Sequence, residues 1–564
     1  MPPVFSKETR KVCVRNDGRT GQGRTSPCEN RCPLGNPIQK MERAVAEGDP
    51  SLALYLLRAS NPFPGVTGRV CPHPCEEACN RGQYDEALSI RALERFAADA
   101  GAAGLKRLSP LPSSGKKIAV IGSGPAGLSC AYFSALLGHE VTVFEAAPVA
   151  GGVPRQAIPD FRLPKDVADR ELGLILDLGV RVLTNTEVGR DVSLRELMQR
   201  YDACLLAVGS RKERMLNIPG IERALPAVSF LREANLSRGS LAGKKVVILG
   251  GGGVAFDCAF TARRLGAART SLICLESRDA MRVPQAEVEQ ADDESITLHT
   301  GHLAASLECG EGMVRAVTAD AVSSFSFDET GALHAEFVPG RKLRVEADVV
   351  ICASGLTADL DLLEGEAGVE RTPRGCVKTV HCATSLPGLF AAGECAAGPS
   401  LVSSAIAEGR AAAFDIHAWL NGEEAGRPLD VWVDEEGRLA LERPEAKAVP
   451  HEVEFGEIVN IVHHAKASRN NTVNLASRDT WLAFEELDRG LAPEAARAEA
   501  ERCLHCGHCQ ACGECVASCP GLILKAGDGA PEVAYPDECW HCGCCRLACS
   551  TGSISYEFPL NMLV

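Results

Sequence analysis

Near its C-terminus the chain reads RCLHCGHCQACGECVASCP, with a cysteine at every third position from Cys503 to Cys515 and then Cys519-Pro520. Thiolates at such spacing are ligands for soft metal centres rather than core residues. The run Cys509-x2-Cys512-x2-Cys515-x3-Cys519-Pro520 has the spacing that holds a [4Fe–4S] cluster. It recurs as Cys539-x2-Cys542-x2-Cys545-x3-Cys549. In two-cluster folds the fourth cysteine of each run serves the other cluster. One cluster is therefore expected on Cys509, Cys512, Cys515 and Cys549, and the other on Cys539, Cys542, Cys545 and Cys519. Cys544 reads as a spare thiol, and Ser550 stands where a second proline is usual. Cys503 and Cys506 lie outside both runs.

A second group opens the chain: Cys28, Cys32, Cys71, Cys75 and Cys79. Their short spacings point to Fe–S or Zn ligation. Nine further cysteines, between Cys130 and Cys395, stand singly and read as small buried hydrophobes. Cys13 fits neither class. Twenty-six cysteines in 564 residues are not read as a disulfide framework, because no secretory signal precedes them and a cytoplasmic setting is reducing.

Two other stretches carry chemistry through glycine. Lys117 to Ile121 reads as a strand, followed by Gly122-x-Gly124-x-x-Gly127, an apolar helix and a second strand ending at Glu145. This is the dinucleotide fingerprint in its proper context. Gly122 allows the tight turn, Gly124 admits a pyrophosphate at the helix N-terminus, Gly127 lets helix and strand pack, and Glu145 can accept from a ribose. A second unit gives Gly250-x-Gly252-x-x-Ala255 and ends its second strand, Ser271 to Leu275, at Glu276. Two such sites in one chain imply a flavin and a nicotinamide.

The composition fits a soluble, several-domain protein, with 45% apolar, 24% charged and only 5% aromatic residues. The net charge of −15 argues against nucleic acid as a partner. No apolar run reaches the roughly 18 residues of a membrane helix, so a cytoplasmic protein without a transmembrane segment is expected.

From about Cys28 to Asn421 the chain resembles the flavin subunit of glutamate synthase and its relatives, which include the N-terminal half of dihydropyrimidine dehydrogenase and the large subunit of the NADH-dependent ferredoxin:NADP oxidoreductase. The motifs are NPFPGVTGRVCPHPCEEACNRG, GSGPAGL, GGVPRQAIPDFRLP and GLFAAGECAAGPSLVSSAIAEGRAAA. The resemblance implies FAD on the first unit, with Gly152, Arg162, Gly393 and Glu394 as further contacts. Glu394 replaces the family's Asp. It implies NAD(P)H on the second unit. NADPH-using members carry two arginines where this chain has Leu275 and Glu276. A carboxylate there repels a 2′-phosphate and accepts from a 2′-hydroxyl, which favours NADH over NADPH. Arg278 and Arg282 keep NADPH as the minority reading. Disulfide reductases of this fold place a Cys pair behind the FAD unit, and GGVPRQAIPDFRLPKDV has none.

The resemblance also divides the N-terminal cysteines. One [4Fe–4S] cluster is implied on Cys32, Cys71, Cys75 and an oxygen ligand matching Glu94. The other is implied on Cys28, Cys79 and an upstream C-x2-C, whose positions are Thr20 and Gly23 here. The sequence EAERCLHCG resembles that missing pair. Cys503 and Cys506 are therefore expected to complete the Cys28/Cys79 cluster, against the alternative of a separate Zn site or two free thiols.

These readings set the elements. The expected fold class is α/β: a helical N-terminal Fe–S domain (1–110), an FAD domain in two parts (115–235 and 346–422), an NAD(P) domain (240–345), a linker or docking segment with a short hairpin (423–500) and a C-terminal α+β ferredoxin-like domain of bacterial 2[4Fe–4S] type (501–564). The expected cofactors are FAD, NAD(H) and about four [4Fe–4S] clusters. The expected function is an NADH:acceptor oxidoreductase subunit that exchanges electrons with a partner redox subunit or ferredoxin. A glutamate synthase flavin subunit, an electron-bifurcating flavin subunit and a relay with an inactive nicotinamide site are the alternatives.

Overall fold

The computed structural model describes residues 11–14, 24–281, 283–364, 368–426, 430–434, 437–442, 450–473, 483–527, 530–535, 538–540 and 542–557. Thr20, Gly23 and Arg282 lie outside these residues, as does the Cys13 side chain.

The first dinucleotide unit is a parallel sheet of five strands. Its order is Leu389–Ala391, Ala203–Leu206, Lys117–Ile121, Glu140–Phe144, Arg181–Leu183. Ile118, Val120, Val141, Val143 and Leu205 are buried. Helices covering a parallel sheet explain such unbroken apolar runs. The chain leaves this sheet after Leu206 and rejoins beside the same strand at Leu389. The second unit lies between these points. It is also a five-stranded parallel sheet: Thr297–His299, Arg269–Ile273, Lys245–Leu249, Val349–Cys352, Leu225–Pro226. A three-stranded antiparallel sheet, His302–Gly310, Met313–Phe327 and Leu333–Glu346, projects from it. Cys309 lies on this projection and is exposed, so the expectation that it is a buried hydrophobe is corrected.

Arg264 and Glu294 form a buried ion pair in the second unit. Both nitrogens of the fork donate, at 2.8 and 2.9 Å, and the guanidinium stacks 4.0 Å from the centre of the Phe161 ring. Removing one partner leaves a buried charge uncompensated, which costs about 3–5 kcal/mol. Arg264→Met is expected to lower the thermal midpoint in calorimetry, and the double change Arg264→Met/Glu294→Gln is expected to restore part of it.

The N-terminal domain packs the helices Ile38–Ala46, Pro50–Arg58, Pro64–Val70 and Ile90–Ala100 around Met41, Leu57 and Leu93. The helix Pro493–Ala500 joins this same core through Leu491, Ala496 and Ala500, with Cys503 at its end. The returning chain is stitched down by polar contacts. Buried Glu499 accepts from the backbone N–H of Ser89 (2.9 Å) and Asn470 (2.7 Å) and from Arg502 (2.7 Å). Arg24–Thr25 pairs with His451–Glu452, and Lys11–Val14 pairs antiparallel with Ile554–Glu557. Between Asn421 and this return, Asp430–Val433 and Leu439–Glu442 form an antiparallel hairpin. Among the described residues no helix is long and apolar enough to cross a membrane.

Candidate cofactor and cluster sites

The first crevice is shaped by close backbone approach. Gly122 has φ +103°, and a Cβ there would lie 2.3 Å from the Ala207 carbonyl oxygen. A Cβ on Gly127 would lie 2.0 Å from the carbonyl oxygen of Gly122. Gly124 faces open space, with nothing within 4 Å of its added Cβ. It caps the helix Pro125–Leu136, whose first N–H groups have no side-chain partner at the cap. An uncapped N-terminus beside an open glycine is the cradle a pyrophosphate needs. Gly152 folds against Gly124, its added Cβ 2.7 Å from that Cα. Glu145 accepts from the N–H of Ser123 (3.0 Å) and of Ala147 (2.7 Å), at the end of the second strand. Gly393 donates to Glu408 (2.8 Å), and Glu394 accepts from the N–H of Ser400 (3.2 Å). Burial pushes the Glu394 carboxyl up. Gly409 was not singled out from the sequence, yet its added Cβ would lie 2.0 Å from the Ala126 carbonyl oxygen. It lets the helix Val402–Leu420 lie directly on the crevice helix.

The second crevice repeats the first. A Cβ on Gly250 would lie 2.4 Å from the Ala353 carbonyl oxygen, and Gly252 opens on space. Ala255, at the third position, is buried in the helix Gly253–Arg264. The acidic residue is displaced, however. The second strand ends at Ile273, and backbone pairing aligns Cys274 with Glu145: Cys274 N–H donates to His299 as Glu145 N–H donates to Leu183. Glu276 lies two residues further on. Its Oε2 nonetheless reaches back over the glycine loop, 2.7 Å from where a Cβ on Gly251 would sit. Glu145 meets Ser123, the same position of its own loop. Arg278 pairs with Asp292.

Arg162, expected at the flavin, lines the space between the two units. It pairs with Asp257 at 2.7 Å and with Glu287, both on the second unit. Two carboxylates facing the connecting segment draw its guanidinium across the gap. This gap is a cavity of about 870 Å³. Val153, Gly253, Leu401 and Val402 line it from the two units, and Cys71 and His73 line it from the N-terminal domain.

Cys32, Cys71, Cys75 and Glu94 line one smaller cavity next to that gap, sharing Cys71, His73 and Arg91 with it. Glu94 is buried, and three donors converge on its Oε1: Asn36 (3.2 Å), Asn61 (3.0 Å) and Thr67 (2.7 Å). Burial pushes this carboxyl up to about 7 against the pull of those donors. Burial likewise pushes the Cys32 thiol up to about 11. Four acids converging on one cavity, Cys75 and Glu94 buried and Cys32 and Cys71 half-buried, ionise together only with a cationic core between them, of the kind an iron–sulfur cube would supply.

Cys28, Cys79 and Cys503 gather at the junction of the N-terminal core and the returning chain, and Cys506 lies beside Cys503 and Cys79. Burial raises the Cys28 and Cys503 thiols, and their mutual proximity adds to it: Cys79 acts on Cys28, and Cys28 and Cys506 act on Cys503. Burial pushes Cys506 up to about 12, with Cys79 adding to the shift, although Asn80 donates to its Sγ at 3.5 Å. Glu42, not singled out from the sequence, is wholly buried beside Cys503, and burial pushes it up to about 8.

Two further cavities lie in the C-terminal module. One is lined by Cys509, Cys512, Cys515 and Cys549, the other by Cys519, Cys539, Cys542 and Cys545. The exchange of fourth cysteines is built into this arrangement. The loops share one device. His73, His505 and Ala511 stand two residues after Cys71, Cys503 and Cys509, in left-handed backbone, and each donates its N–H to that thiol at 3.4 Å. Among the described residues no three His, Cys, Asp or Glu side chains close on a point as a single ion requires. Three of the four sets, those of Cys32, Cys509 and Cys519, line a cavity instead.

Residues 116–409 match the family model described as pyridine nucleotide-disulphide oxidoreductase. The chain belongs to this family. Residues 4–104 match a second model, dihydropyrimidine dehydrogenase domain II, 4Fe–4S cluster. The chain is 36% identical over 538 residues to the NADP(+)-dependent formate dehydrogenase subunit beta of Moorella thermoacetica, covering 90% of this chain and 72% of that one. It is 32% identical over 516 residues to the NADPH-Fe(3+) oxidoreductase subunit beta of Geobacter sulfurreducens, covering 86% and 75%. It is 36% identical over 427 residues to the glutamate synthase [NADPH] small chain of Mycobacterium tuberculosis, covering 71% and 86%. This pyridine nucleotide oxidoreductase is thus an electron-transferring flavin and iron–sulfur enzyme. Unlike the disulphide reductases of its fold, this family member has no cysteine from Ala147 to Val167.

Proposed function

We propose that the chain is the NADH-oxidising subunit of a larger redox enzyme and passes electrons between a nicotinamide and a partner subunit or ferredoxin through four [4Fe–4S] clusters. The gathering of Cys28, Cys79, Cys503 and Cys506 carries this reading. Cys509, of the first C-terminal set, follows Cys506 by three residues. On this reading the ligand sets lead from the cavity beside the dinucleotide units toward the exposed C-terminal cysteines Cys512 and Cys542. The three relatives are named beta subunits or a small chain, and we extend that role to this protein.

Bound FAD would supply the conversion between two-electron hydride chemistry and one-electron transfer. The protein's part is positional. Gly124 and Gly252 admit the two pyrophosphates at uncapped helix N-termini. Val153, Leu401 and Val402 give the meeting point an apolar wall. Glu276 accepts from the 2′-hydroxyl of the nicotinamide's adenosine and repels a 2′-phosphate, while Asp292 holds Arg278. The names of all three relatives favour NADPH instead, and an anaerobic titration decides. NADH is expected to bleach the flavin at lower concentration than NADPH. Glu276→Ala is expected to shift the ratio of the two kcat/KM values toward NADPH by about tenfold, the effect of roughly 1.4 kcal/mol. A wild-type preference for NADPH rejects this assignment of Glu276. Failure of both nucleotides to bleach the flavin leaves an electron relay.

A further inference from the structure

The helix Val402–Leu420 lies between the flavin crevice and the first thiol set. Gly409 places it on the crevice helix. Ser403 and Arg410, seven residues and therefore about two turns apart, face the thiol set. The Ser403 hydroxyl is buried 3.8 Å from the Cys71 sulfur. Arg410 donates to the Ser60 carbonyl at 2.9 Å. Its other terminal nitrogen would stand 3.9 Å from a Cβ on Gly35, in the turn that Gly35 N–H closes on the Cys32 carbonyl. The side chain of the same Ser60 starts a line of hydrogen bonds to Glu94. Ser60 Oγ donates to Asn36 Oδ1 (2.9 Å), and Asn36 Nδ2 donates to Glu94 Oε1 (3.2 Å).

Among the described residues no carboxylate forms an ion pair with Arg410. Arg410 is half-buried, and a guanidinium partly drawn out of water is favoured by a nearby anion. Cys32 is the group whose charge would favour it. A cluster held by three thiolates and a carboxylate is net negative, and one added electron makes it more so.

We propose that Arg410 is the counter-charge of the cluster held by Cys32, Cys71, Cys75 and Glu94, and that it raises the reduction potential of that cluster above what the carboxylate ligand alone would set. Arg410 acts through the field it places on the cluster and through the Ser60–Asn36 line to Glu94, so it is a positioning residue. This inference rests on the proposed ligand set.

The test is an EPR-monitored redox titration of the full-length holoprotein, with iron and FAD counted in each variant. The first cluster's signal is the one that changes in Glu94→Cys. In Arg410→Met that signal is expected to titrate at a more negative potential, while the C-terminal clusters titrate as in wild type. In Arg410→Lys, which keeps the charge, the potential is expected to return toward wild type. An unshifted midpoint in Arg410→Met with iron and FAD intact overturns the proposal. If Arg410→Met loses iron, Arg410→Lys decides: a midpoint displaced as far as that of Glu94→Cys, at full iron content, overturns it. If no signal changes in Glu94→Cys or in Cys71→Ser, the ligand assignment fails, and the proposal fails with it.

Discussion

Replacing Cys503 and Cys506 together by serine is expected to remove one whole cluster, lowering iron from about sixteen to about twelve per FAD. Cys503 follows a helix that belongs to the N-terminal core, with Cys28 and Cys79 beside it, and Cys506 adjoins Cys503 and Cys79. Serine hydroxyls cannot replace two of four soft ligands. The remaining sets do not share these thiols, because separate residues line their cavities. NADH is therefore expected to bleach the flavin at the wild-type rate, while the C-terminal clusters no longer fill with electrons from that source. Iron analysis, stopped-flow bleaching at the flavin band and EPR after NADH addition read these three effects separately. An unchanged iron content rejects the shared cluster and returns Cys503 and Cys506 to a separate zinc site or to free thiols. The variant is also expected to lose stability, since a cluster tying residues over four hundred positions apart closes a very long loop.

The second large effect separates the two crevices. Gly124→Val and Gly252→Val each place a side chain in open space, where no protein atom lies within 4 Å of the new Cβ. Neither has a reason to disturb the fold. Each fills the place where a cofactor backbone must lie. A steric overlap of about 3 kcal/mol already weakens binding about 100-fold, and a rigid helix N-terminus cannot move aside. Gly124→Val is expected to purify without FAD, with its iron retained. Gly252→Val is expected to keep FAD and iron and to lose reduction by either nicotinamide at least about 100-fold, while still accepting electrons from dithionite. Absorbance at the flavin band and anaerobic titration distinguish them. Full FAD content in Gly124→Val rejects the first assignment. By contrast, Gly122→Val is expected to fail to fold, because its Cβ would lie 2.3 Å from the Ala207 carbonyl oxygen.

Much of this site was legible in the chain. A thiol two or three residues from the next cannot reach far, so a C-x2-C run prescribes its local geometry wherever it stands. The glycine fingerprints were legible for the same reason. They encode a strand, a turn and a helix start within ten residues, and each glycine answers one local clash. Glu94 was reached through resemblance to a family, although its three donors come from Asn36-Pro37, Asn61-Pro62 and Thr67, polar residues that had no assigned purpose. Asparagine before proline is held extended and out of helix, a local signal that these amides were free to serve a partner.

Other readings needed the folded molecule. The partners of Arg162, Asp257 and Glu287, were not legible, because the second unit packs against the segment that carries it only in the folded chain. Glu276 stands two positions past the place of Glu145, and only the path of its side chain brings it back over the glycine loop. Glu42 and Arg410 gave no signal, since a charged residue on a helix is ordinarily solvated. Both became notable when packing brought them beside thiols, Glu42 wholly buried and Arg410 half-buried.

The sequence by itself determined the grouping of the thiols, the two glycine-loop crevices and the partition of the C-terminal cysteines between two cavities. These are set by chain segments short enough for covalent geometry to govern them. The tertiary structure alone decided which distant thiols meet, which face of the helix Val402–Leu420 looks at the first cluster site, and where Arg162 pairs. Such choices depend on how apolar faces pack, and that energy belongs to no single segment.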